Sequence, residues 1–205
     1  MKSYWVAFAA IITAALISLA YAQATDGSRS LPQGWIRTGS APGQYEMTVQ
    51  PRTAGSADLS VVLKSKADAD ANKFGTLMQQ FQAADYRGQS VRFSASVKAQ
   101  DVTGSGQLWM RVDDETGKVI AFDNMDARSI KGTTSWSRVE VVLPVAANAQ
   151  VISFGIMMQG KGEFAMTDVE ITAVPSSTPS STPSTAPQPQ IVPMPAKPVN
   201  LDFKQ

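Results

Sequence analysis

An aromatic and a cationic side chain share one face of a predicted strand within residues 106–125, where apolar residues alternate with Trp109 and Arg111. A strand that buries only one face alternates apolar with polar residues, whereas the second face here carries an indole and a guanidinium. An indole face stacks on the apolar face of a pyranose, and a guanidinium donates hydrogen bonds to hydroxyl groups. The pattern therefore indicates a candidate binding site for a glycan or a similar polar ligand.

The same strand is predicted to form a β-hairpin, because a turn sequence at 114–117 is followed by a second apolar arm at 119–122. A four-residue turn places these pairs opposite one another: Asp113 with Lys118, Trp109 with Phe122, and Arg111 with Ile120. Asn124 then lies further along the same face. The candidate ligand-binding residues are Trp109, Arg111, Phe122 and Asn124, joined by Gln79 and Gln80 if the strand at 74–81 lies alongside.

The alternative interpretation of this face is packing rather than binding. Aromatic cross-strand pairs such as Trp109 and Phe122 commonly stabilise sheets. In that case a loop covers the pair, and Arg111 bonds to Asp113 or Asp123. Both interpretations are consistent with the sequence.

The chain contains neither histidine nor cysteine. This composition excludes a Ser-His-Asp triad, a histidine general base, imidazole metal ligands and thiolate chemistry. The acidic run at 113–115 lies at a hairpin tip, and neighbouring carboxylates there do not provide the ~5–10 Å separation across a cleft that glycosidic cleavage needs. No catalytic residue is predicted, and we expect a protein that is not an enzyme.

The N-terminal residues are typical of a secretory signal peptide. Lys2 precedes an apolar run at 6–19, and a small-x-small cleavage pattern ends at Ala22, with a second one ending at Ala24. The apolar run is shorter than the ~20 residues that a membrane span needs. We therefore expect a signal peptide at 1–22, a periplasmic or secreted protein, and no membrane span after signal removal.

The rest of the chain divides by composition into three parts. Residues 23–31 are a short polar lead-in that is predicted to be flexible. Residues 32–174 contain short alternating segments about every ten residues with turn signals between them, which indicates one all-β sandwich or barrel. Residues 175–205 are rich in Ser, Thr and Pro and are predicted to be a disordered tail, although Leu201 and Phe203 leave open a small docking peptide at 199–205.

Several segments of the predicted domain resemble one family of bacterial domains, the galactose-binding-like jelly rolls. The matching segments are FGTLMQQ at 74–80, VRFSASVK at 91–98, LWMRVD at 108–113, KGTTSW at 131–136 and FGIMMQGKGEF at 154–164. The resemblance implies a jelly-roll β-sandwich similar in architecture to carbohydrate-binding modules. It also implies a structural calcium ion as an option, with no other cofactor, and it implies no established ligand. The family occurs alone or fused to other modules, including some called transcriptional regulators.

These observations predict an exported, non-catalytic module that binds a glycan or another polar ligand of the cell envelope. The alternative is a structural or protein-interaction module that is tethered by its Pro-rich tail and has no small-molecule ligand. The full-chain net charge of +1 gives no indication of a nucleic-acid partner. A glycan or an envelope protein is the expected partner.

Overall fold

The computed structural model describes residues 31–181 and 194–205. In this part of the chain there are nine β-strands and three single-turn 3-10 helices, and there is no α-helix. The strands are β1 (Ile36–Gly39), β2 (Tyr45–Pro51), β3 (Leu59–Ser65), β4 (Phe74–Gln82), β5 (Ser90–Asp114), β6 (Val119–Asp123), β7 (Ile130–Pro144), β8 (Ala149–Gln159) and β9 (Glu163–Val174). The all-β prediction is confirmed. The predicted signal peptide, residues 23–30 of the lead-in and residues 182–193 of the tail lie outside the described residues.

The strands form two layers that share β5. Residues 90–100 of β5 pair with β7 and β9, whereas residues 105–114 pair with β8. The first layer therefore has the order β1-β4-β8-β5-β6, and the second has the order β2-β3-β9-β5-β7. All the pairings are antiparallel. This arrangement is the predicted β-sandwich, and β5 alone belongs to both layers.

The predicted hairpin begins at 106, whereas β5 starts at Ser90 and continues through Gly104 and Gly106 for 25 residues in all. The glycines permit close approach of neighbouring groups. A Cβ at Gly106 would lie 2.5 Å from the Phe164 ring, and a Cβ at Gly104 would overlap the carbonyl of Gln159. The glycines thus mark the place where β5 passes from one layer to the other.

Aromatic side chains join the two layers in the core. Phe93 on β5 contacts Phe154 on β8, with ring centroids 5.1 Å apart. Phe154 also contacts Phe81 at 5.8 Å and Trp35 at 5.6 Å, both edge-on. Each such pair contributes about 0.5–1.5 kcal/mol beyond burial of its area. The core therefore lies between the layers, and the opposite side of the first layer is a separate surface.

Residues 194–205 differ from the predicted disordered tail. Phe203 is 2% exposed and contacts Trp35, with ring centroids 5.4 Å apart. Leu201 packs against the core beside it. Composition predicted disorder because the prolines dominate the tail as a whole, while two apolar side chains suffice to anchor its end. The docking peptide that the sequence left open is the arrangement observed.

Candidate functional site

The outer face of the first layer, opposite the sandwich core, carries the predicted site residues Trp109 and Arg111. Leu108, Met110 and Val112 alternate with them and belong to the core. The register gives two rows across the layer. Trp109 lies beside Gly155 and then Met78, and Arg111 lies beside Ser153 and then Gln80. These rows are called the outer face below.

Trp109 is held across the strands by its indole nitrogen. Nε1 donates a hydrogen bond of 2.8 Å to Oγ1 of Thr76 on β4, which in turn donates to the carbonyl of Ile156 at 2.7 Å. Because β8 lies between β5 and β4, the indole spans β8 close to Gly155, which has no side chain. Trp109 is 6% exposed and packs with Met78 and Phe122 in an apolar cluster apart from the main core.

Arg111 and Asp113 form a buried ion pair next to this cluster. Nε and one terminal nitrogen of Arg111 lie 3.0 and 2.9 Å from Oδ2 of Asp113, and the side chains are 4% and 3% exposed. Oδ1 of Asp113 is buried and has no hydrogen-bond partner among the described residues. Burial raises the pKa of Asp113, and the neighbouring guanidinium offsets only part of this effect.

The two predicted glutamines lie on opposite faces of β4. Gln80 belongs to the outer face, where its Nε2 donates to Oγ of Ser153 at 3.0 Å. Gln79 points the other way, because successive side chains alternate along a strand, and its amide bonds to the main chain of Val199. The predicted grouping of Gln79 with Trp109 is therefore wrong.

The hairpin register also differs from the prediction. Arg111 lies opposite Phe122, and Asp113 lies opposite Val119 across a bulge. The turn closes one residue later than predicted, since the Asp114 amide donates to the Lys118 carbonyl at 2.9 Å. The reason is local, because Oδ1 of Asp114 accepts hydrogen bonds from the backbone of Thr116 and Lys118. These bonds hold the pKa of Asp114 low, with the Thr116 hydroxyl as the largest cause.

Asn124 lies at the end of the hairpin and takes part in a structured loop. Its Oδ1 accepts a hydrogen bond of 3.2 Å from the Asp126 amide. Asp123 beside it accepts from the Met125 amide at 2.7 Å and pairs with Arg128 at 2.7 Å. These bonds tie the loop that follows the hairpin. Arg111 pairs with Asp113 and not with Asp123, which settles the choice that the sequence left open.

Sequence reasoning missed Thr76, Ser153 and Gly155. The stretch 150–158 is nearly all apolar, which is typical of a central strand. Ser153 and Gly155 are small residues at alternate positions of that stretch, so they interrupt the apolar run on one face only. This alternation is the sequence signal that indicates both residues.

Neither a metal cluster nor a membrane-spanning helix is found in residues 31–181 and 194–205. No three His, Cys, Asp or Glu side chains there come together closely enough to hold a metal ion. No helix in those ranges is long and apolar enough to cross a bilayer. The carboxylates of Asp113 and Asp114 are instead engaged by Arg111 and by the turn.

Comparison with known proteins gives one curated relative and several solved structures. No model of a known protein family matches the chain. The chain is 38% identical over 173 residues to the uncharacterized HTH-type transcriptional regulator YbfP of Bacillus subtilis strain 168, a match that covers 84% of this chain and 57% of the regulator. The chain therefore spans less than two thirds of that relative's length.

Among solved structures, the enzymatically active domain of tailspike protein 4 from bacteriophage CBA120 superposes with a TM-score of 0.52 at 15% identity, covering 69% of this chain and 20% of that one. The CBM22-1 xylan-binding domain of Paenibacillus barcinonensis Xyn10C gives a TM-score of 0.49 at 15% identity, covering 73% and 92%. At 15% identity, the similarity to the tailspike domain shows a common fold and nothing about function.

Proposed function

We propose that this domain is a non-catalytic module that binds a glycan or a similarly polar ligand on the outer face. The observation that carries the proposal is the Asp113 carboxylate, which is 2% exposed and is paired with Arg111, while its other oxygen has no hydrogen-bond partner among the described residues. A buried acceptor without a donor costs about 1–3 kcal/mol. A ligand that donates a hydroxyl to this oxygen removes that cost.

The surrounding groups suit a polyol. The Trp109 indole offers an apolar ring surface for stacking, and Gln80 and Ser153 add amide and hydroxyl groups in the neighbouring row. Because these side chains are only 0–6% exposed, a ligand reaches them after a local opening of the face. We therefore expect association slower than the roughly 10⁵–10⁷ M⁻¹s⁻¹ typical of preformed protein surfaces.

A catalytic role is not proposed. Asp113 is neutralised by Arg111, and the carboxylate of Asp114 accepts the hydrogen bonds of the turn. Neither is therefore placed as one of the two carboxylates, facing each other across a cleft, that glycosidic cleavage requires.

The match to the regulator covers 57% of that protein, and we extend to this chain neither DNA binding nor any regulated gene. Export through residues 1–22, to the periplasm or outside the cell, also belongs to the proposal. Fractionation of cells that produce the chain, with N-terminal sequencing of the mature form, tests it, and an uncleaved cytoplasmic product would contradict export.

The binding experiment starts with a glycan array that includes cell-wall oligosaccharides, followed by isothermal titration with each sugar that binds. Trp109→Phe removes the Thr76 hydrogen bond and part of the ring, and we expect about tenfold weaker binding, equivalent to about 1.4 kcal/mol. The matched control is Trp136→Phe on the second layer, which we expect to leave binding unchanged. Absence of binding to any sugar, or equal binding by the Trp109 variant, would contradict the proposal.

A second candidate function is a structural or protein-interaction module. The observation that favours it is the packing of Trp109, Met78 and Phe122, which are 5–6% exposed and form a cluster of their own, as the packing interpretation of the sequence predicts. Pull-down from envelope extracts with the full chain and with a chain ending at Val174 tests this candidate. A partner that is captured by both forms, without any glycan, would favour it over ligand binding.

A further inference from the structure

The C-terminal segment 194–205 lies in a groove that is formed by β4 and residues 33–35. Its anchor is Phe203, which is 2% exposed and packs on Trp35, with Leu201 partly buried nearby. A tight turn presents the anchor, since the Phe203 amide donates to the Asn200 carbonyl at 3.2 Å. This groove is separate from the outer face and is called the C-terminal groove below.

Most hydrogen bonds in the groove reach the main chain of the segment. Gln79 accepts from the Val199 amide at 3.0 Å and donates to the carbonyl of the same residue. Nε1 of Trp35 donates to the Asn200 carbonyl at 3.0 Å, and the amides of Gln82 and Gln33 donate to the carbonyls of Pro195 and Gln205. Main-chain bonds that supply affinity, with a pocket for an anchoring side chain, are the chemistry of peptide recognition.

The groove is built from residues that the rest of the domain holds in place. Trp35 packs edge-on against Phe154 of the core, and Gln79 lies in the β4–β8 ladder. Gly34 leaves room for the segment, because a Cβ there would lie 2.6 Å from the Val199 side chain. Trp35 and β4 therefore have contacts with the domain in addition to those with the segment.

The segment itself is held by few buried groups. Val199 is 36% exposed, and the Lys197–Asp85 ion pair at 3.4 Å is exposed on both sides, so it adds little. The segment is therefore held mainly by one buried aromatic residue and by main-chain hydrogen bonds. Because the segment is covalently attached to the domain, it competes with a peptide that is supplied by another molecule.

We propose that the C-terminal groove is a peptide-binding site that also accepts residues 194–205 from a second copy of this chain. The required chemistry is a peptide that turns so as to bury an aromatic residue two positions after an aliphatic one, as in Leu201-Asp202-Phe203. This inference goes beyond the proposed function and does not depend on it. Binding in trans competes with the tethered segment and becomes measurable when that segment is removed or weakened.

The test uses a fluorescently labelled peptide of residues 194–205 and measures its anisotropy. One acceptor is the chain ending at Ser181, and the second is the full chain with Phe203→Ala, which keeps the proposal testable if the shortened chain fails to fold. We expect saturable binding to both, and at least about tenfold weaker binding of a peptide carrying Phe203→Ala, because a buried Phe side chain contributes more than about 1.4 kcal/mol.

Three further acceptor variants test whether the peptide binds in the groove. Gln79→Leu removes both bonds to Val199 and should weaken peptide binding several-fold, whereas Gln50→Leu changes an exposed side chain on β2, in the other layer, and should leave binding unchanged. Trp109→Phe should also leave it unchanged, which separates this result from glycan binding. If a folded acceptor fails to bind the peptide, or binds the wild-type and Phe203→Ala peptides equally, the proposal is overturned.

Discussion

Arg111 and Asp113 form an ion pair on a sheet face that lies outside the main core, and both side chains are nearly inaccessible to solvent. Removing one member of a buried pair leaves an uncompensated charge and costs about 3–5 kcal/mol, whereas replacing both with apolar residues is often neutral. We therefore expect Arg111→Met and Asp113→Leu each to lower the free energy of unfolding by about 3 kcal/mol. The double variant should regain most of that loss, as measured by urea unfolding.

The control for this cycle is the exposed pair of Arg92 and Glu140, whose side chains are 38% and 56% exposed. Glu140→Gln should change the free energy of unfolding by less than about 1 kcal/mol. Additive losses in the Arg111/Asp113 double variant would show that the two side chains do not act as a pair.

Trp109, Arg111 and Asp113 show which features of this face can be predicted from the sequence. Alternation along the strand placed Trp109 and Arg111 on one face, because side chains alternate in any strand. It did not reveal that Asp113 completes the pair, since the choice between Asp113 and Asp123 depends on the loop that ties Asp123 to Arg128. Alternation also does not show whether a sheet face is exposed to solvent or covered by other residues.

The strand register of the hairpin was the least predictable feature, because it depends on the hydrogen bonds of individual side chains. Because the Asp114 carboxylate accepts a hydrogen bond from the Lys118 amide, the turn closes one residue later along the chain. The resulting bulge places Phe122 opposite Arg111. Similarly, Gly104 and Gly106 lead into the predicted hairpin. Close packing against Gln159 and Phe164 requires them inside β5, and a sequence pattern does not contain that information.

The adjacent carboxylates Asp113 and Asp114 should titrate on opposite sides of the ordinary aspartate pKa. Burial raises the pKa of Asp113, whereas hydrogen bonds from Thr116 and Lys118 lower the pKa of Asp114. Carboxyl ¹³C chemical shifts followed against pH measure both values. Titration of the two groups at the same pH would contradict the buried pair and the ordered turn together.

These shifts have opposite effects on stability. Because the folded-state pKa of Asp113 lies above the unfolded value, its contribution to stability falls as pH rises from the unfolded to the folded pKa, and it is constant above that window. Asp114 contributes stability above its unfolded pKa and loses it as pH falls through the lower folded value. We expect Asp113→Asn to gain stability relative to the wild type as pH rises through the Asp113 window, and urea midpoints at several pH values check the sign.

Phe203→Ala tests whether the C-terminal segment contributes to the stability of the domain. A Phe→Ala change in a core costs about 3–5 kcal/mol, and the terminal position of Phe203 allows partial collapse, so we expect about 3 kcal/mol in urea unfolding. Val199→Ala is the matched control, because that side chain is 36% exposed and should change stability by less than about 0.5 kcal/mol. A disordered tail would instead give no change for either variant.

Gly155 should be intolerant of any side chain, because it lies between Trp109 and Met78 in the outer face. A Cβ there would overlap the Leu77 carbonyl and lie 2.8 Å from Cα of Met78. Since both contacts are backbone atoms, relief requires β4 and β8 to separate, which also strains the hydrogen bond from Trp109 to Thr76. We expect Gly155→Ala to cost at least about 3 kcal/mol, at the upper end of overpacking effects, and to shift the fluorescence of Trp109.

The fluorescence is best read in a Trp136→Phe background, which removes the partly exposed indole of the second layer. Gly43→Ala is the control for the substitution itself, because a Cβ added there would have no atom within 4 Å and the φ of Gly43 is not positive. This control should change the free energy of unfolding by less than about 0.5 kcal/mol. If Gly155→Ala were as stable as Gly43→Ala and left the emission of Trp109 unchanged, the indole would not lie across β8 as described, and the outer face would lose the ring surface on which glycan stacking depends.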